Sequence, residues 1–104
     1  MSVLLEFSMF PTDQGESVSA QVSLIIAEIR TSGLPYRLTP MGTIVESERL
    51  SEVLALVERC HQVLDQAGCR RVYASLKLDI RKGQSNRMQA KLESIQEKIG
   101  EVAV

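Results

Sequence analysis

The sequence predicts an α+β domain in which helices lie on an antiparallel sheet. Two observations carry this: strict period-two alternation of apolar residues near the start of the chain and again after residue 70, and three segments with apolar residues recurring every three or four positions. A third is the turn chemistry that separates these segments. At 104 residues and 11.6 kDa the chain has room for one compact domain, residues 1–104, built on a single core. No stretch approaches the roughly 18 apolar residues that a membrane-spanning helix requires.

Val3, Leu5, Phe7 and Met9 alternate with Leu4, Glu6, Ser8 and Phe10, which makes the first element a strand with one apolar and one mixed face. The opening segment carries Glu6 and lacks a basic leader, so it reads as a strand and not as a signal peptide. Pro11 to Gly15 ends the strand. Ser17 or Ser19 can cap a helix running from about residue 17 to 32, whose apolar stripe is Val18, Val22, Ile25 and Ile29 and whose stop is Ser32-Gly33. Pro35 to Thr39 is a short second strand, and Gly42 to Glu46, rich in β-branched residues, is a third. Leu50, Val53, Leu54, Val57, His61 and Leu64 stripe a second helix over about residues 48–67, with Ser47 or Ser51 at its start and Gly68 at its end. Arg71 to Arg81 alternates cleanly as a fourth strand, with Val72, Ala74, Leu76, Leu78 and Ile80 on one face and Tyr73, Ser75, Lys77 and Asp79 on the other. Lys82 to Ser85 turns the chain into a third helix striped by Met88, Leu92, Ile95 and Ile99.

This βαββαβ order with an extra C-terminal helix matches the ferredoxin-like, or split-βαβ, arrangement: an antiparallel sheet with two helices on one face. The apolar side of each strand goes under the helices, and Glu6, Ser8, Tyr73, Ser75, Lys77 and Asp79 mark the face left over. So small a domain with one bare sheet face is expected to form a homo-oligomer, dimer or tetramer, with the third helix docking elsewhere or covering a neighbour.

Twelve basic and thirteen acidic side chains nearly cancel, so bulk nucleic-acid binding is disfavoured and no membrane association is expected. The charge is uneven: residues 1–69 hold four basic and nine acidic side chains, residues 70–104 eight and four. Those later basics are scattered without interleaved aromatics and read as solvated surface, though they leave a phosphorylated ligand open. Cys60 and Cys69 lack the tight spacing of a zinc or redox motif and are expected to be reduced thiols. No Gly-rich phosphate loop is present. His61, the only histidine, falls in a helical stripe and reads as a packed residue with nothing nearby in sequence to orient it for catalysis. Glu6 and Asp79 can fall side by side for acid–base work if their strands pair, but pairing with Lys77, Arg71 or Arg81 is the simpler reading.

The segment Thr39-Pro-Met-Gly-Thr43 carries more chemistry than a hairpin turn needs. Gly42 permits close backbone approach, Thr39 and Thr43 offer hydroxyls, and Met41 offers a polarizable surface for a flat ring. A binding loop and a plain bulge or turn both fit this pattern. Ser17 and Ser19 are helix caps or, at a helix N-terminus, a polar anchor for a ligand.

Taken together, Phe10-Pro11, Gly15-Glu-Ser-Val-Ser19, Ser32-Gly-Leu-Pro-Tyr36, Leu38-Thr-Pro-Met-Gly-Thr43 with Glu46, Gly68-Cys-Arg-Arg-Val72 and Leu78-Asp-Ile-Arg81 resemble the small thiamine-binding protein family. The resemblance spans essentially the whole chain in order and spacing, and Thr-Pro-Met-Gly-Thr is its most specific part. It implies a ferredoxin-like fold, assembly as a tetramer built as a dimer of dimers, and binding of thiamine or its hydroxymethylpyrimidine part without catalysis, without another cofactor and in the cytoplasm. On that resemblance the ligand-binding residues are Phe10, Ser17, Ser19, Thr39, Met41, Gly42, Thr43 and Glu46. Glu46 would accept from the 4-amino group, Ser17, Ser19 and Thr43 would meet the ring nitrogens, Phe10 and Met41 would sandwich the ring, and Glu6 or Glu16 would face the thiazolium charge. Asp79 and Arg81 match the family's strand-four motif. The chain departs from the family at the end of the first strand, where Phe10-Pro-Thr-Asp-Gln-Gly15 stands in place of a Pro-Leu-Gly type stretch. Two rivals are an oligomeric interaction module without thiamine affinity, and a small enzyme using Glu6, Lys77 and Asp79.

Overall fold

In the computed structural model, which describes residues 1–104, alternation is the rule that builds the sheet. Strand β1 (Ser2–Pro11) sits between β3 (Gly42–Ser47) and β4 (Val72–Arg81), and β2 (Tyr36–Thr39) flanks β3, giving the antiparallel order β2-β3-β1-β4. Helices α1 (Ser19–Thr31), α2 (Leu50–Gln66) and α3 (Arg87–Ile99) complete the order βαββαβα. The ferredoxin-like fold with an added C-terminal helix is therefore present as the sequence predicts. No helix is long and apolar enough to cross a membrane.

The register places Val3, Leu5 and Phe7 opposite Ser47, Val45 and Thr43, and sets Leu5 and Phe7 beside Leu78 and Leu76 on the other flank. One face of β1 thus delivers Val3, Leu5, Phe7 and Met9 to a core completed by Val45, Ile25 and Ile29 of α1, Val53, Leu56, Cys60 and Leu64 of α2, and Cys69. Each such large side chain contributes on the order of 1.5–3 kcal/mol by leaving water.

Four expectations change on contact with the structure. The α1 cap is not made: Val18 holds the cap position with no side-chain hydrogen bond, Ser17 is exposed, and Ser19 lies inside the helix, where its carbonyl accepts from Ser23 Oγ (2.7 Å). His61 is exposed instead of packed, because α2 is turned so that Val53, Leu56, Cys60 and Leu64 face inward; one residue is about 100° of helix, which carries Leu54 and His61 out to solvent. The apolar side of β4 is not covered. The two helices pack on each other and mainly on β1 and β3, so Leu76, Leu78 and Ile80 of the outer strand stay 42%, 39% and 47% exposed. The opposite face is bare only in part: α3 lies across Leu4 and Ile44, while Glu6, Tyr73, Ser75, Lys77 and Asp79 stay exposed as expected.

The start of α3 is anchored by Glu46, which is 7% exposed. Its carboxylate accepts from Ser2 Oγ (2.7 Å), from the backbone N–H of Arg87 (2.8 Å) and from that of Met88 (3.2 Å). Asn86 precedes the helix in the left-handed region (φ 50°) and offers no cap of its own, so the carboxylate from β3 satisfies the free N–H groups of the first turn. The Arg87 guanidinium closes the cluster, donating to Ser2 Oγ and O and pairing with Asp79 at 2.9 Å. Glu6 meets Lys77 across the strands at 3.6 Å. Both carboxylates considered for acid–base work are thus paired with cations, Glu6 with Lys77 and Asp79 with Arg87.

Candidate functional site

At one end of the sheet β1 runs on past its partner: pairing with β3 stops at Phe7 opposite Thr43, whereas pairing with β4 continues to Pro11 opposite Val72. Ser8, Met9 and Phe10 therefore have no strand neighbour on the β3 side. A cavity of about 310 Å³ opens there, enclosed by this overhang, by Val18, Val22, Ile25 and Ile26 of α1, and by the β2–β3 hairpin from Leu38 to Thr43. The volume lies at the lower end of the roughly 300–1,000 Å³ range typical of small-molecule sites.

The hairpin is shaped locally. Thr39 pairs with Gly42, so the turn consists of Pro40 and Met41 alone. Thr39 Oγ1 donates to the Gly42 carbonyl (2.7 Å) and accepts from the Met41 N–H (3.3 Å), so this hydroxyl holds the turn and is not free for a ligand. A Cβ on Gly42 would stand 3.1 Å from the Phe7 carbonyl oxygen, tighter than an ordinary contact, so β3 and β1 would have to part by a few tenths of an ångström to admit one. Thr43 is 3% exposed and lines the cavity. Met41, 89% exposed, forms the outer lip. Phe10 is braced by Tyr73, with ring centroids 5.8 Å apart.

Five of the eight residues singled out in the sequence, Phe10, Thr39, Met41, Gly42 and Thr43, line this one cavity. Ser17 and Ser19 are exposed and flank it through their neighbour Val18, without lining it. Glu46 does not join them: β3 carries it to the opposite end of the sheet, where its carboxylate is occupied by Ser2 and the start of α3. Glu16 is exposed in the loop before α1, and Glu6 is engaged by Lys77. Sequence reasoning missed Ser8, Leu38, Pro40 and the α1 residues as walls. Val18 and Val22 were assigned to the core stripe, but both are only half-buried, the one sign that the first turn of α1 faces a space and not packed side chains.

None of the fourteen lining residues is ionisable, and no group of three His, Cys, Asp or Glu side chains in the chain is placed to hold a metal ion. The walls supply an apolar slot, the hydroxyl-bearing side chain of Thr43, and strand-edge backbone of β1 at Ser8 to Phe10. That set can hold a flat, uncharged ring and has no general base to move its protons. The thiols lie elsewhere: burial, with the Glu28 charge adding to it, pushes Cys60 up to about 12, and burial also raises Cys69.

The comparisons with known proteins follow the same line. A UPF0045 protein of Mycobacterium bovis is 36% identical over 96 residues, covering 92% of this chain and 93% of its own. A crystal structure of a Methanocaldococcus jannaschii protein superposes with a TM-score of 0.79 at 35% identity, covering 92% of this chain and 97% of that one. A Thermotoga maritima structure, described as a candidate thiamine biosynthesis or salvage protein, shares the fold at a TM-score of 0.73 and 22% identity, covering 95% of this chain and 96% of its own. The family profile for thiamine-binding proteins matches residues 5–96, nearly the entire length, and the chain belongs to that thiamine-binding protein family.

Proposed function

We propose that this protein is a non-catalytic binding protein for thiamine or its hydroxymethylpyrimidine part, acting in the cytoplasm as carrier, buffer or sensor and using no other cofactor. The observation that carries the reading is the cavity without ionisable residues beside the Pro40-Met41 turn. A 4-aminopyrimidine is flat and uncharged, and its ring nitrogens and amino group match the Thr43 hydroxyl and the unpaired edge of β1. Phe10 and Met41 flank the ring, Gly42 sets the close approach, Thr39 holds the turn, and Ser17 and Ser19 stand at the lip. Glu46 has no part in this site. The thiazolium charge, and any phosphate on it, lie toward the open mouth because the walls offer nothing to pair with them.

The chain further assembles with copies of itself, as a dimer or a dimer of dimers. Leu76, Leu78 and Ile80 support this, forming an apolar row on an outer strand whose backbone edge is also free.

Isothermal titration with thiamine, hydroxymethylpyrimidine and thiamine phosphate tests the site. The expected result is saturable binding of the pyrimidine and of thiamine, weakened roughly five- to tenfold in Thr43→Val by loss of one neutral hydrogen bond. Absence of heat for all three ligands from folded protein would favour the rival reading, an interaction module with no thiamine affinity.

A further inference from the structure

A second cavity, of about 410 Å³, lies between α3 and the outer face of the sheet. Its floor is Leu4 and Ile44, its wall is Met88, Leu92 and Ile95 of α3, and the C-terminal Val102 to Val104 lies along it. Three cations edge this apolar space: Arg37, Arg87 and Lys91. Arg87 is committed to Asp79 and Ser2. Arg37 and Lys91 have no carboxylate within ion-pair distance, and the one side-chain hydrogen bond of Arg37 is a long contact to Gln89 (3.4 Å).

An apolar trough with two cations outside any ion pair at its rim is complementary to a molecule with the reverse halves. We propose that this cavity is a second ligand site, separate from the ring-binding cavity, that takes an anionic amphiphile: an aliphatic body over Leu4, Ile44 and Leu92, and one carboxylate or phosphate group held by Arg37 and Lys91. Apolar contact gives the body its affinity without regard to direction, and the guanidinium fork of Arg37 orients the anionic end. The charge-free ring cavity is its chemical opposite, so the two sites select different ligands. They share Leu38 and Thr39 of β2 as a common wall.

The test is calorimetric titration of the full chain with octanoate, octyl phosphate and octan-1-ol. Saturable binding of at least one anion is expected, about tenfold tighter than the alcohol of equal chain length. The relative affinities of octanoate and octyl phosphate then tell which anionic group the rim prefers. The Arg37→Gln, Lys91→Gln double variant is expected to lose that tenfold preference while keeping the alcohol affinity and the wild-type circular dichroism. Saturating hydroxymethylpyrimidine is expected to leave the anion bound. No binding of either anion, equal binding of the alcohol, an unchanged preference in the double variant, or displacement by the pyrimidine would each overturn the proposal.

Discussion

Replacing Glu46 with glutamine separates two roles for a residue that family resemblance assigns to the ligand and that the structure assigns to α3. The carboxylate accepts three hydrogen bonds, from Ser2 Oγ and from the N–H groups of Arg87 and Met88. Glutamine keeps one oxygen acceptor but turns an amide NH₂ toward donors that need an acceptor, and it removes the negative charge at the helix N-terminus. Hydrogen bonds to charged groups contribute about 1.5–3 kcal/mol each and a helix-end charge about 0.3–1 kcal/mol, so with partial rearrangement a loss of about 2 kcal/mol is expected. In a domain of this size that corresponds to roughly 8–16 °C in Tm. Urea denaturation followed by circular dichroism reads it directly. Burial pushes the Glu46 carboxyl up, but the hydrogen bonds from Ser2, Arg87 and Met88 and the Arg87 charge outweigh it, leaving it below its ordinary value of 4.5. A carboxyl depressed by folding stabilises fully above its ordinary value and loses that contribution as the pH falls through the folded one. Wild-type stability is therefore expected to decline below about pH 4.5 through this group, and Glu46→Gln to lack that component. An unchanged urea midpoint at pH 7, or an identical pH dependence, would refute the assignment; so would loss of pyrimidine binding at unchanged stability.

Three further outcomes follow from the same geometry. Gly42→Ala forces a Cβ to 3.1 Å from the Phe7 carbonyl and parts β3 from β1 at the cavity rim, so pyrimidine affinity is expected to fall about tenfold or more, read by titration. Leu78→Lys places a charge in the exposed apolar row of β4 and is expected to yield monomers by light scattering with unaltered circular dichroism, since Leu78 is 39% exposed in the single chain. Cys60, fully buried with its thiol pushed up to about 12, is expected to resist Ellman's reagent in the native state and to react once urea unfolds the chain.

The fold was legible because alternation and helical spacing act locally: the pattern of β1 and β4 defines both the strands and the faces they present. What the pattern did not show was which element covers which face. Leu76, Leu78 and Ile80 have the alternation of a core strand, yet β4 is the outer strand and the helices lie over its neighbours, a matter of topology that no single segment carries. The rotation of α2 escaped for a related reason. Leu54 and His61 fit the same spacing as Val53, Leu56 and Cys60, and only the packed helix decides between stripes one residue apart. The candidate cavity was half legible. The hairpin residues stood out through their chemistry, whereas Glu46, only three residues beyond Thr43 in sequence, is carried by an extended strand about 10 Å along the sheet and so leaves the cavity. Its true partners, Ser2 and Arg87, lie 44 and 41 residues away in sequence.

The most direct test of the central claim is titration of hydroxymethylpyrimidine into uniformly ¹⁵N-labelled protein with amide shifts followed residue by residue. The saturating changes are expected to centre on Ser8 to Phe10 and Met41 to Thr43, with Glu46, Arg87 and Met88 unmoved. Changes centred on Glu46 and the start of α3, with the hairpin silent, would contradict that claim.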